Sequence, residues 1–290
     1  MKPRVKGMLL MTACIMLWSF TGLLAKAIPW NGVALSGWRA LISAVMLYAY
    51  MRGCGIKPLW DGRSLLIGVC VAGAAVFCLV ANKLTAAANV IMLQYTAPVF
   101  LIIYTAIFAK RRYAFFDYAV VAVTIGGILM FFLDELTPGG LWGNIFSLLL
   151  GATYGGMFFL CEGITLQSRL SGILWGFLMT ALVGMPFLFF TQNSITPASV
   201  GLVVLMGVVF YGLPYIFYAL SLRDCPALAA VLISALEIIL NPVWVYLFLR
   251  EKPGKWALIG SAVILGAVLF YSVRNARREQ SETKEAQHEG

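Results

Sequence analysis

Three observations predict an all-α integral membrane protein whose ten transmembrane helices form two inverted five-helix repeats. They are the excess of apolar residues, a succession of apolar runs long enough to cross a bilayer, and a constant register relating the two halves. Hydrophobic residues make up 61% of the 290-residue chain and charged residues 11%. Mean hydropathy is +0.90. One soluble core of this size could not hide so much apolar surface, so lipid is the expected solvent.

Each span follows from length. The hydrocarbon core is about 30 Å thick and a helix rises 1.5 Å per residue, so a run of about 18 or more apolar residues crosses it. Runs bounded by polar or Gly/Pro punctuation fall at 7–26, 34–51, 64–82, 86–109, 115–133, 141–161, 171–190, 199–221, 226–249 and 255–273. Lys2, Arg4 and Lys6 before the first run and Ala25-Lys26-Ala27 at its end have the outline of a secretory signal. The run from Met8 is nevertheless long enough to span, and its removal would break the repeat, so it is read as the first helix. Residues 274–290 are polar, charge-mixed and free of Phe, Tyr and Trp, the composition of a disordered cytosolic tail.

Lys and Arg concentrate in cytosolic loops. With both termini inside, the cytosolic segments hold Lys2, Arg4, Lys6, Arg52, Lys57, Arg63, Lys110, Arg111, Arg112, Arg169, Arg223, Arg274, Arg277, Arg278 and Lys284. The outer segments hold Lys26, Lys83, Arg250, Lys252 and Lys255, the last three crowded into one loop against the rule. The net charge of +9 therefore reads as membrane topology and not as a nucleic-acid-binding face. The six cysteines sit mostly in apolar runs without paired spacing, so no disulfide framework and no zinc site is expected.

A shift of 140 residues superposes 83–133 on 223–273 without a gap, pairing Ala87 with Ala227, Phe108 with Phe248, Gly126 with Gly266, and Lys110 with Arg250. A shift of 136 places Trp18 on Tyr154. Five spans per repeat is an odd number, so the second half enters the membrane from the opposite side. Two inverted halves, 7–133 and 141–273, can rock about a site between them.

The residues near the ends of spans four and nine carry a resemblance. Ala88-Asn89-Val90-Ile91-Met92-Leu93-Gln94-Tyr95-Thr96-Ala97-Pro98-Val99-Phe100, closing at Lys110-Arg111-Arg112, resembles the EamA family of the drug/metabolite transporter superfamily. So does Ala235-Leu236-Glu237-Ile238-Ile239-Leu240-Asn241-Pro242-Val243-Trp244, followed by Arg250-Glu251-Lys252-Pro253, and Leu17-Trp18-Ser19-Phe20 with Trp38-Arg39 fit the same pattern. The resemblance covers roughly 7–273. It implies a ten-helix carrier of amino acids, nucleotide-like metabolites, vitamins or other small organic molecules, more often an exporter by proton antiport, and it draws Asn241 in with Glu237 as a candidate site residue.

Glu237 lies about 15 Å into the ninth span, near the midplane, where an ionised acid costs on the order of 2.5–3.5 kcal/mol. It is either a protonatable or cation-binding group of a transport site or a buried structural carboxylate. Arg39, about 7 Å into the second span, either snorkels to the headgroups or faces inward to pair with Glu237 or to bind a carboxylate. A proline inside a helix frees the carbonyl four residues earlier. Pro98 frees that of Gln94, beside Tyr95 and Thr96, and Pro242 frees that of Ile238, beside Glu237, so both repeats are expected to open a helix at a polar residue. Such backbone is tolerated only where protein or a water-filled cavity satisfies it. Pro186 and Pro214 read as packing kinks. Trp18, Tyr154, Tyr211, Tyr215, Tyr218 and Trp244 are candidates to line the cavity, with Trp18 and Tyr154 favoured because the repeat superposes them. Gly151-x-x-x-Gly155 and Gly172-x-x-x-Gly176 suit close packing between spans six and seven or dimerisation, leaving monomer and homodimer open.

The only histidine is His288, and no Walker A loop is present. A His metal cluster, a Ser-His-Asp arrangement and an ATP-driven pump are thereby disfavoured, and no enzyme activity, metal or cofactor is expected. The expected role is a secondary transporter that moves an amino-acid-like or drug-like metabolite across the plasma (cell inner) membrane by alternating access, with protons as a partner through Glu237. An intramembrane enzyme on a lipid substrate would need paired carboxylates or a nucleophile at membrane depth. A non-transporting scaffold would need neither the repeat nor the central polar residues.

Overall fold

The computed structural model describes residues 3–110, 115–134, 138–161, 163–225, 227–250 and 254–288. Lys2, Arg111, Arg112 and Glu251-Lys252-Pro253 lie outside them. The described residues are helical apart from short connections, in the order α1 (Pro3–Trp18), α2 (Thr21–Ala27), α3 (Gly32–Gly53), α4 (Gly62–Leu84), α5 (Ala87–Gln94), α6 (Ala97–Phe108) and α7 (Phe115–Asp134). The second half contains α8 (Pro138–Cys161), α9 (Leu166–Gly184), α10 (Phe187–Phe190), α11 (Pro197–Gly207), a π-helical turn (Val208–Gly212), α12 (Leu213–Ser221), α13 (Ala227–Leu249) and α14 (Lys255–His288).

Among the described residues, seven stretches are long and apolar enough to cross a membrane: Val5–Ala27, Gly32–Gly53, Gly62–Leu84, Ala87–Phe108, Gly140–Cys161, Leu166–Phe190 and Pro197–Ser221. They coincide with expected spans one to four and six to eight. Shorter apolar helices at Ala119–Met130 and Leu258–Tyr271 lie within α7 and α14, and the 23-residue α13 covers the expected ninth span. Large apolar side chains such as Phe108, Leu182, Phe189, Phe190 and Phe248 stand exposed, as suits contact with lipid.

Local chemistry sets the helix ends. Asn31 starts α3 by accepting from the Val33 and Ala34 amides, and Asp61 starts α4 by accepting from Ser64. Thr196 and Ser199 close a reciprocal capping box on α11, with Pro197 in the first turn. Among the described non-glycine residues, Lys110 (φ 51°) and Arg250 (φ 59°) are the two with positive φ. They follow α6 and α13 at repeat-equivalent positions, so both halves end this helix with the same left-handed residue despite its steric cost of roughly 1–2 kcal/mol.

Packing follows the repeat. α1 packs on α12 and α13, and α8 correspondingly packs on α4 and on α5 and α6. α3 lies against α9, and α7 pairs with α14. Exchanging the halves maps these pairs onto one another. Glycines permit the closest crossings: a Cβ on Gly37 would lie 2.4 Å from the Gly184 carbonyl carbon and the Met185 nitrogen.

Several expectations need correction. Residues 274–288 are helical and continue α14, because Ala, Arg, Glu, Gln and Lys are good helix formers and no Gly or Pro interrupts them. Gly151 and Gly155 do not join spans six and seven: they receive Thr96 and the Ala97 carbonyl at the α5–α6 break. Gly172 and Gly176 instead face Ile67 and Val71 of α4. Pro242 lies within a continuously helical α13, whereas the first span, which has no internal proline, is interrupted between Trp18 and Thr21.

Candidate functional site

Two interrupted helices meet near the centre of the bundle. At the first break, the Ser19 amide still reaches the Ile15 carbonyl at 2.9 Å, but the Phe20 amide turns to Leu17 at 3.3 Å. The Ser19 hydroxyl donates to Met16 O at 2.7 Å and accepts from Trp244 Nε1 at 2.9 Å. At the second, the Tyr95 amide is shared between Ile91 and Met92, the Thr96 amide goes to Leu93, and the Thr96 hydroxyl donates to the same Leu93 carbonyl at 2.7 Å. Pro98 supplies no amide to continue the ladder, as the sequence predicts.

Between these breaks lies a cavity of about 20 Å³, room for about one water molecule. Of the expected residues, Trp18, Arg39, Gln94, Tyr154, Tyr211, Tyr215 and Glu237 line it together. Thr21 and Cys78 line it as well. Those two were missed because a small polar residue in an apolar run carries no distinguishing pattern.

Arg39 is 1% exposed, which rules out snorkelling to the headgroups. Its guanidinium lies 3.9 Å from the centre of the Tyr211 ring, a cation–π contact that offsets part of the desolvation cost. Nη2 donates to the Ala75 carbonyl at 3.2 Å, while Nε and Nη1 have no partner among the described residues. No ion pair joins Arg39 to Glu237 among those residues, so the expected pairing is not formed. Glu237, 5% exposed on α13, faces the same cavity from the other half of the chain.

The π-helical turn places Tyr211 over Arg39. Gly207 packs on the Arg39 carbonyl, and its own carbonyl accepts from Ser43 at 2.6 Å. A π turn widens the helix by one residue and occurs often at functional sites. Pro214, read from the sequence as a packing kink, follows this turn directly. Tyr211 and Tyr215 then pack edge-on at 5.2 Å, and Phe177 touches both.

Aromatic layers lie on both sides of the cavity. Toward one end of the bundle Trp18 packs on Tyr215 at 5.1 Å and Tyr218 at 5.8 Å, with Phe158 beyond. Toward the other, Phe20 stacks on Trp244 at 4.8 Å and tilts on Phe210 at 5.3 Å. Trp244 therefore belongs to the second layer and does not line the cavity. Tyr95 sits beside the cavity and donates to the Ser234 carbonyl, one turn before Glu237. Asn241 is displaced from the cavity by one turn of α13. It packs on Gly22 and is fully buried, with neither amide atom hydrogen-bonded among the described residues. No group of His, Cys, Asp and Glu among the described residues is arranged to hold a metal ion.

Among curated proteins, none matches the sequence. A solved structure described as "Crystal structure of protein" is 18% identical, with a TM-score of 0.61 over 95% of this chain and 99% of that one, a likeness of fold. The profile of the EamA-like transporter family matches twice, over residues 5–133 and 141–273. Those two matches take in nearly the whole apolar part of the chain and divide it where the repeat does: this multi-pass membrane protein belongs to the EamA-like transporter family.

Proposed function

We propose that the chain is a secondary transporter that moves a small organic metabolite, amino-acid-like or drug-like, out of the cell across the plasma membrane by alternating access. Its ten helices form two inverted repeats with both termini cytoplasmic, and the transport site is the cavity between the halves. One observation carries this: Arg39 from the first half and Glu237 from the second, both buried, line one central cavity between two interrupted helices. Charges at membrane depth are expensive and mark solute or ion pathways.

The cavity is too small for a metabolite, since ligand pockets usually enclose about 300–1,000 Å³. Transport therefore requires the layers around Trp18 and Phe20 to part in turn. The α1–α2 and α5–α6 breaks supply the points about which helix ends can tilt without unmaking a whole ladder. Glu237 has no ion pair among the described residues, so a proton is the simplest way to neutralise it, and the same acid couples solute to protons.

The test is retention and flux in proteoliposomes under an imposed pH gradient, using pooled amino acids, nucleosides, vitamins and cationic drugs, with wild type against Glu237→Gln. Flux of some solute by wild type alone is the expected result. Equal behaviour of both proteins toward every solute would overturn the assignment of the site.

A further inference from the structure

We infer that the solute carries a carboxylate and that the Arg39 guanidinium is the group that receives it. The inference rests on the cavity being the transport site. It decides between the amino-acid-like and the cationic drug-like class.

A guanidinium has five N–H donors. Here Nη2 is engaged by Ala75, whereas Nε and Nη1, which carry three of the five, find no acceptor among the described residues although Arg39 is 1% exposed. Buried donors are nearly always satisfied, so this deficit calls for an acceptor beyond the described residues, which a water supplies in the resting cavity and a solute in the loaded one. The guanidinium carbon lies over the Tyr211 ring, 3.9 Å from its centre, and that contact takes up none of the N–H donors. A carboxylate can accept two parallel hydrogen bonds, one from the second Nη2 hydrogen and one from Nε or Nη1 beside it. A phosphate monoester would bring a second negative charge, and Arg39 is the only cation among the cavity-lining residues, which also include Glu237. A cationic solute would meet Arg39 as a like charge in a site shielded from water.

The experiment is thermal stabilisation of the detergent-purified full-length protein by matched acid and amine pairs in which one hydrocarbon group carries either a carboxylate or an ammonium. The probes run from butyrate and propylamine to 3-phenylpropanoate and phenethylamine, with the corresponding amino acids as zwitterions. Acids or zwitterions are expected to stabilise wild type at concentrations where the paired amines do not. In Arg39→Gln the half-maximal concentration should rise about tenfold or more, the loss expected for one charge-assisted hydrogen-bonded contact. Arg39→Lys should fall between the two, because an ammonium keeps the charge and loses the fork.

Preference for amines, equal response to both members of every pair, or no stabilisation by any acid would each overturn the inference. The comparison on wild type needs no variant, so a poorly folding Arg39→Gln does not weaken it. Flux of a cationic solute by wild type in the vesicle assay would sink the carboxylate assignment while leaving the transporter reading intact. Absence of any flux together with clear acid binding would do the reverse.

Discussion

The two halves of the chain meet at the cavity with differently built helices. In the first half, spans one and four are interrupted, at Ser19-Phe20 and Tyr95-Thr96. Their counterparts in the second half, α8 and α13, run 24 and 23 residues without a break. The second half loosens its eighth span instead, where the π-helical turn sets Tyr211 on Arg39. Yet the halves agree at their margins: Lys110 and Arg250 adopt the same left-handed conformation, and the helix pairs map onto one another under exchange. The repeat thus preserves boundaries and packing partners, while positions facing the cavity diverge. A cavity that receives one asymmetric solute, as proposed here, has no use for two identical walls.

The crossing of α3 and α9, where a helix of each half meets the other backbone to backbone, should be the least tolerant of change. Gly37→Ala would set its Cβ 2.4 Å from backbone atoms that no rotamer can move, and should cost about 3 kcal/mol, the upper end of overpacking penalties. In contrast, Gly126→Ala on α7 meets nothing within 4 Å and should be neutral or stabilising by up to about 1 kcal/mol. Melting temperatures in detergent compare the two, and equal stability would show that the crossing is looser than described.

Next in size is the continuous helix of the second half. Glu237→Gln should remove the response of solute flux to a pH gradient while the protein still folds, because a buried amide is cheaper than a buried charge. Persistence of that response, measured with a pH-sensitive dye in vesicles, would move the coupling elsewhere.

One turn along, Asn241→Leu removes a buried amide that lacks partners among the described residues. It should leave stability unchanged or raise it by about 1–3 kcal/mol, with slower flux if the amide engages α2 or α5 in another state. A fall in melting temperature would reveal a partner that this conformation does not display.

The smallest effect is expected across the halves at the first break. Trp244→Phe deletes the donor to Ser19 but keeps a ring to stack on Phe20, and should cost about 0.5–1.5 kcal/mol. No change would mean that span one breaks without help from α13.

The α5–α6 break was legible because proline lacks an amide, which is a property of the residue itself. The α1–α2 break was not. Ser19 makes an ordinary bond to the carbonyl three residues back, and Thr153 makes the same kind of bond inside α8 without opening it. What differs at Ser19 is Trp244, 225 residues away. Pro242 teaches the converse, since a missing amide does not by itself interrupt a helix held by its neighbours. Seven of the expected residues line the cavity, Tyr211 included, while Tyr95 sits beside it and Asn241 and Trp244 miss it because they lie about one and two turns beyond Glu237 along the axis of α13, on the same face but too far along it.

By itself, the sequence determined the membrane as solvent, most of the helix positions and the twofold division, because hydropathy sums along the chain and caps act within a turn. The tertiary structure alone decided that Arg39 faces inward, that it forms no ion pair with Glu237 among the described residues, and which aromatic rings close the cavity from either side. Those outcomes depend on how each helix is rotated about its axis. In a chain so uniformly apolar, that rotation is set by contacts between distant residues and not by an amphipathic stripe.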